Sequence, residues 1–249
     1  MRYRINKFDP KTLKPHQRYV FVGRSGGGKT VAMRHVLYEM RGSVDLALCF
    51  TPSLAAKHAF RRIVPAAFMR DTLDLSTLDK ALDMQTALLE NKKERSILVV
   101  ADDCMYDKAI WRSPTIRRVF MQGRHANVGM ALSVQYLMDL PPDLRTNCGY
   151  VFCTADAVHQ NKKRLFNAFF GCFERYSEFD QCFTQLTADH GLIVLDQTKA
   201  SNTIEDSVFW WKAEPALPPF RLCKPCYYKL SMPTREADAE TDHKSVQLR

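Results

Sequence analysis

The sequence predicts an α/β fold in which a mainly parallel sheet is flanked by helices and carries its ligands at the carboxyl ends of its strands. Short apolar runs alternate with longer stretches of helical periodicity between Arg18 and Cys153. A glycine-rich segment, residues 23–30, stands between the first such run and the first such stretch. The run at 96–101 (SILVVA) is the most apolar short segment of the chain and ends on two acids, as suits a central parallel strand buried on both faces.

Taken in order, residues 18–22 form a strand that stops at glycine, and residues 30–41 form a helix that Gly42 can end. Residues 44–50 are a second strand, halted by Thr51-Pro52-Ser53, and the stretch to Met69 reads as helical with Lys57, Arg61 and Arg62 on it. Residues 76–94 read as a helix opened by a serine cap, and the apolar strand at 96–101 follows. Residues 114–124 are helical, 128–134 a strand, 142–147 a short helical turn and 150–153 another strand. A basic helical stretch carries Lys162, Lys163 and Arg164, and a second helix runs through Phe179 and Phe183. Residues 192–195 and 208–211 read as late strands at the sheet edge. We expect one domain over 1–230 and a mobile polar tail over 231–249.

Composition excludes several classes. Apolar residues make up 46% and charged residues 25%, which rules against a disordered chain, and no apolar run approaches the roughly 20 residues that span a bilayer. The basic N-terminus leads into Asp9 and Lys11 instead of an apolar stretch, so nothing there reads as a secretion signal. The eight cysteines are scattered, several within apolar runs, and suit a reduced compartment. Cys223 and Cys226 have the spacing of half a zinc site, but no second pair stands nearby, and a turn with two free thiols is the simpler reading. A net charge of +9 favours a polyanionic partner such as nucleic acid.

The chemistry is concentrated in a few segments. Gly23-Arg24-Ser25-Gly26-Gly27-Gly28-Lys29-Thr30 matches G-x-x-x-x-G-K-[ST] in its required strand-to-helix context. Backbone N–H groups of such a loop wrap the phosphates of ATP, Lys29 brings a point charge to the β- and γ-phosphates, and Thr30 offers its hydroxyl to Mg2+. Asp102, at the end of the apolar strand, is expected to hold the metal through its water shell, and Asp103 to orient or deprotonate the attacking water. Gln135 follows the next strand and is a candidate sensor of the γ-phosphate. Arg124 and Arg145 are candidates for an arginine finger. DNA contact is expected from Arg61, Arg62, Lys162, Lys163 and Arg164, through phosphates and without sequence preference.

Together FDPKTLKP, GRSGGGKT, ILVVADDC, GRHANVGMALSVQYLMDLPPDLRTN and VFWWKAE resemble the poxvirus-type DNA packaging ATPases of large DNA viruses, a branch of the FtsK/HerA motor superfamily. The resemblance extends to about Lys212 and implies a P-loop NTPase fold of the RecA/ASCE-like kind. It implies ATP-driven movement of double-stranded DNA into a preformed capsid, by a homo-oligomeric ring docked on capsid vertex proteins, in the virion or at the assembly site in the host-cell cytoplasm. It also implies a sensor role for Gln135 and finger or sensor roles for Arg124 and Arg145. Asp103 departs from the superfamily, whose members often carry glutamate there. A cellular or plasmid-borne pump of the same superfamily is the alternative, disfavoured by the compact length. A small-molecule kinase or GTPase is disfavoured by the lack of an N-K-x-D motif and of a recognisable arginine-rich lid.

Overall fold

Residues 3–199, 201 and 203–230 are described by a computed structural model. The elements in chain order are β1 (Asn6–Lys7), β2 (Arg18–Val22), α1 (Lys29–Glu39), β3 (Leu46–Phe50), α2 (Leu54–Phe60), β4 (Met69–Arg70), α3 (Leu75–Glu90), β5 (Ile97–Ala101) and α4 (Pro114–Gln122). They continue with β6 (Val128–Val134), α5 (Pro142–Arg145), β7 (Tyr150–Cys153), α6 (His159–Phe169), α7 (Tyr176–Leu186), β8 (Gly191–Asp196), α8 (Ile204–Ser207), β9 (Val208–Lys212) and α9 (Pro225–Tyr228). The strands make one sheet in the order β1-β9-β8-β7-β2-β6-β5-β3-β4. Among the described residues only β8 runs against its neighbours. The sheet is therefore mainly parallel, as expected.

Alternation along each strand divides the core between the two faces of the sheet. Val20, Val22, Val99 and Ala101 face α3, α4, α6 and α7 through residues such as Leu82, Phe120, Phe169 and Phe179. Tyr19, Phe21, Leu98 and Val100 face α1 and α2 together with Phe8, Trp211 and Leu222. That second face is aromatic where β2 meets β7: Tyr19 stacks on Tyr150 at 5.4 Å, Phe21 on Phe152 at 4.7 Å, and Phe8 meets Phe152 edge-on at 5.6 Å. Such pairs add to their area burial because offset and edge-on rings align their quadrupoles.

The structure corrects the sequence reading in several places. Helix α3 is capped by Asp74, whose carboxylate accepts from the N–H groups of Ser76 and Thr77, and it ends at Glu90. Asp74 precedes the serine that was expected to cap, and it wins because its two oxygens reach both orphan donors. The helix expected to run to Met69 stops at Phe60, because Arg62 turns into the left-handed region (φ 69°) and Pro65 follows. Strands β8 and β9 are interior, since β1 pairs parallel with β9 and covers that edge. Both β1 and β4 are two residues long, too short to leave a periodic signal. The expected tail at 231–249 lies outside the described residues.

Candidate active site

Strand β2 is central, between β6 and β7, and releases the glycine-rich loop at its carboxyl end. The loop is tied to both neighbours: Gly23 N–H donates to the Val134 carbonyl at 3.1 Å, and Thr154 N–H donates to the Val22 carbonyl at 3.0 Å. A Cβ on residue 23 would stand 1.8 Å from Thr154 Oγ1, so only glycine fits there. Gly28 adopts a left-handed conformation (φ 91°, ψ 8°) and opens α1 without a side-chain cap. The first N–H groups of α1 thus point outward, the arrangement that binds phosphate.

Lys29 is buried, and its ammonium donates to the carbonyls of Gly23 and Arg24, both at 2.9 Å. Burial pulls its pKa below the ordinary lysine value, while the carboxylates of Asp102 and Asp103 pull it back up. Arg24, Ser25 and Gly26 form the exposed rim of the loop.

The two acids after β5 have unlike surroundings. Asp102 is 3% exposed and accepts a hydrogen bond from Thr30 Oγ1 at 2.9 Å. Asp103 is exposed, lies in the left-handed region (φ 59°), and donates its N–H to Ser133 Oγ at 2.9 Å. Its Oδ1 accepts from Gln135 Nε2 at 2.7 Å. Strand β6 lies between β2 and β5, which is why Gln135 reaches this point from the end of its strand. The oxygens of Thr30 and Asp102 are hard donors set side by side and fit a Mg2+ ion that keeps most of its waters. Among the described residues no cluster of three or more His, Cys, Asp or Glu side chains makes a self-sufficient metal cage.

Lys29, Thr30, Asp102, Asp103 and Gln135 line one cavity of about 360 Å³, together with Ser25, Gly26 and Gly28 of the loop. Ser53, Ala55 and Ala56 at the start of α2 and Ser133 of β6 complete its wall. The sequence reading missed Ser53, Ser133 and Thr154. Each is a hydroxyl residue within or at the end of an apolar strand, or just past one, and that is the signal that was available.

The candidate arginines stand elsewhere. Arg124 is exposed at the turn entering β6, at the amino end of the sheet, close enough to His16 to help Lys14, Arg18 and, above all, burial lower the imidazole pKa. Arg145 ends α5, with Nη1 3.6 Å from Met138 Sδ and Nε buried without a partner. Neither lines the cavity. Lys162 is ion-paired with Asp180 and mostly buried, which removes it from the expected DNA-contact set; Lys163 and Arg164 are exposed on α6. Cys223 is buried and accepts from Ala47 N–H at 3.1 Å, whereas Cys226 is exposed.

A family model described as the Poxvirus A32 protein matches residues 5–167, more than half of the chain. An uncharacterized protein of Acanthamoeba polyphaga mimivirus is 27% identical over 222 residues, covering 85% of this chain and 78% of that one. Another from Frog virus 3 is 27% identical over 234 residues, covering 92% and 72%. Among solved structures, the genome packaging NTPase B204 from Sulfolobus turreted icosahedral virus 2, in complex with AMP, superposes with a TM-score of 0.57 at 16% identity, over 82% of this chain and all of that one. That likeness shows a shared fold. With the glycine-rich loop, the paired acids and Gln135 gathered on that fold, and with the family model spanning them all, the chain belongs to the Poxvirus A32 protein family.

Proposed function

We infer that the chain is a viral genome-packaging ATPase, a motor that spends ATP to move double-stranded DNA into a capsid. The observation that carries this reading is the single cavity that joins Lys29, Thr30, Asp102, Asp103 and Gln135 in a chain of this family. The name of B204 and its crystallisation with AMP, AMPPCP and ATP-gammaS support nucleotide as the ligand.

In this mechanism the loop N–H groups and Lys29 hold the β- and γ-phosphates of ATP; Thr30 and Asp102 would hold Mg2+, which would supply positive charge beside the phosphate oxygens. Gln135 positions a water for attack on the γ-phosphorus. Asp103 accepts the proton as the bond to the leaving ADP oxygen breaks. Arg124 and Arg145 lie off the cavity of their own chain, which supports a finger delivered to a neighbour's phosphates in a homo-oligomeric ring. Such a ring would dock on capsid vertex proteins at the site of virus assembly. No helix among the described residues is long and apolar enough to cross a membrane.

ATP turnover measured with and without double-stranded DNA over a range of protein concentrations tests the reading. DNA stimulation that grows as the protein assembles is expected, and turnover indifferent to both DNA and concentration would overturn it. Mixing Arg124→Ala or Arg145→Ala chains with Lys29→Ala chains tests the shared site. One chain then lends its arginine and the other its loop, so activity above the sum of the parts is expected.

A further inference from the structure

Outside the nucleotide cavity, a groove of about 580 Å³ is lined by Arg61, Arg62 and Arg221, with Met69, Phe220 and Tyr228 among its walls. It is built from segments at opposite ends of the sequence. Tyr228 joins them: its hydroxyl donates to the Ile63 carbonyl and accepts from the N–H groups of Leu222 and Cys223 at 3.1 and 3.2 Å. Leu222 N–H also donates to the Ile63 carbonyl at 3.0 Å, and an ion pair between Lys224 and Asp45 pins the same segment to the start of β3. Arg221 lies over the Tyr228 ring at 4.8 Å, which fixes its guanidinium on the groove wall.

All three arginines are exposed, and among the described residues none pairs with a carboxylate. The acids nearby are already engaged, Asp71 by Lys57 and Asp45 by Lys224. Among the described residues these three like charges have no carboxylate partner, so they repel one another, and the arrangement is relieved when an anion enters. Guanidinium groups match phosphate oxygens in a planar fork, and a groove of this size and openness suits a run of phosphates better than a single one. The groove also has a fixed relation to the cavity. Helix α2 begins at the cavity wall with Ala55 and Ala56 and ends at Phe60, directly before Arg61, about 10 Å away along its axis.

We propose that this groove grips the phosphodiester backbone of duplex DNA, with Arg61, Arg62 and Arg221 each contacting phosphate. The proposal rests on the packaging-motor reading above and adds the place where the track is held.

The test is equilibrium binding of the full chain to a fluorescein-labelled blunt duplex of mixed sequence, titrated at several salt concentrations. The chains compared are wild type, the triple variant Arg61→Gln/Arg62→Gln/Arg221→Gln, the corresponding triple Lys variant, and Arg95→Gln as a charge control beside β5. We expect the Gln triple to lose affinity and its dependence of log K on log salt to flatten by roughly 2 to 3, about 0.9 for each phosphate contact removed. We expect the Lys triple to keep most of the salt dependence and Arg95→Gln to match wild type. Thermal melting of each variant separates lost binding from lost folding, and the Lys triple preserves the test if the Gln triple unfolds.

If wild type binds duplex and the Gln triple retains its affinity and slope, the groove assignment is overturned while the motor reading stands. If wild type shows neither duplex binding nor DNA-stimulated turnover, the motor reading falls and the groove with it. Inorganic phosphate and poly-glutamate serve as competitors at equal charge concentration. Displacement of duplex by either as readily as by unlabelled duplex would mean that the groove selects free anions or acidic peptides, and would also overturn the proposal.

Discussion

The nucleotide cavity and the arginine groove both bind phosphate in our reading, yet they are made in opposite ways. The cavity uses backbone N–H groups and one buried lysine from eight consecutive residues, braced by the ends of neighbouring strands. The groove uses exposed guanidinium groups from two remote segments, held in place by a tyrosine hydroxyl, a backbone hydrogen bond and an ion pair. A site that must distinguish a γ-phosphate during chemistry needs rigid, dry, short-range geometry. A site that must hold and release a moving polymer needs charge that salt and solvent can screen. One feature is common to both: each places a non-glycine residue in left-handed backbone, Asp103 at φ 59° and Arg62 at φ 69°.

The largest test of this contrast is Lys29→Ala. Turnover should fall by at least about 10² to 10³, the cost of removing one preorganised charge from a transition state, while thermal melting stays close to wild type. An alanine variant with near wild-type turnover in a steady-state phosphate-release assay would break the cavity half of the comparison. Next comes the division between the acids. Asp103→Asn should slow the chemical step by about 10² to 10⁴ with magnesium affinity retained, and Asp102→Asn should raise the magnesium concentration needed for half-maximal rate by about 10- to 100-fold. Equal loss of metal affinity in both variants would merge two roles that the surroundings of these carboxylates keep apart.

A smaller effect is expected at the shared feature. Arg62→Gly relieves a left-handed residue and should raise stability by about 0.5 to 1 kcal/mol in urea melts while weakening duplex binding. A variant that is both less stable and unchanged in binding would argue that Arg62 serves the turn and not the groove. The smallest effect concerns acid. Burial would raise the Asp45 pKa, but the Lys224 ammonium and the Ser96 donors outweigh it and hold the carboxyl below its ordinary value. Folding therefore favours the ionised form. The stabilisation is complete above the ordinary carboxylate pKa and fades as pH falls through the lower folded value. Asp45→Asn should accordingly flatten the acid limb of a pH–stability curve slightly, and an unchanged limb would remove this ion pair as an anchor of the groove segment.

The cavity was largely legible because its parts are local. A glycine-rich loop, an apolar strand ending in acids and a polar residue after the next strand each declare themselves within a few positions, and parallel strand order brings them together. Ser53, Ser133 and Thr154 were passed over because a single hydroxyl beside an apolar run carries no spacing pattern. The groove was legible only in half. Arg61 and Arg62 drew notice as charges on an expected helix, but that helix ends before them, and nothing in the sequence ties them to Arg221 or to the Tyr228 hydroxyl. Lys162 looked as available as Lys163 until Asp180 of α7 was seen to engage it. Periodicity also had no hold on β1 or on the burial of β9, since a two-residue strand repeats nothing.

The contact between Gly23 and Thr154 bears on how this loop can be altered. With Thr154 Oγ1 1.8 Å from where a Cβ on residue 23 would lie, the first glycine of the motif is dictated by a residue at the end of β7 and not only by the phosphates it serves. Residues 23 and 154 should therefore be randomised as a pair in any library meant to re-engineer nucleotide preference. Because Gly23 also holds a positive φ of 157°, and the Thr154 Cβ itself lies 3.1 Å from the added atom, even glycine at 154 should recover only weak survivors at 23, and a library that varies the eight motif residues by themselves searches a space already closed from outside.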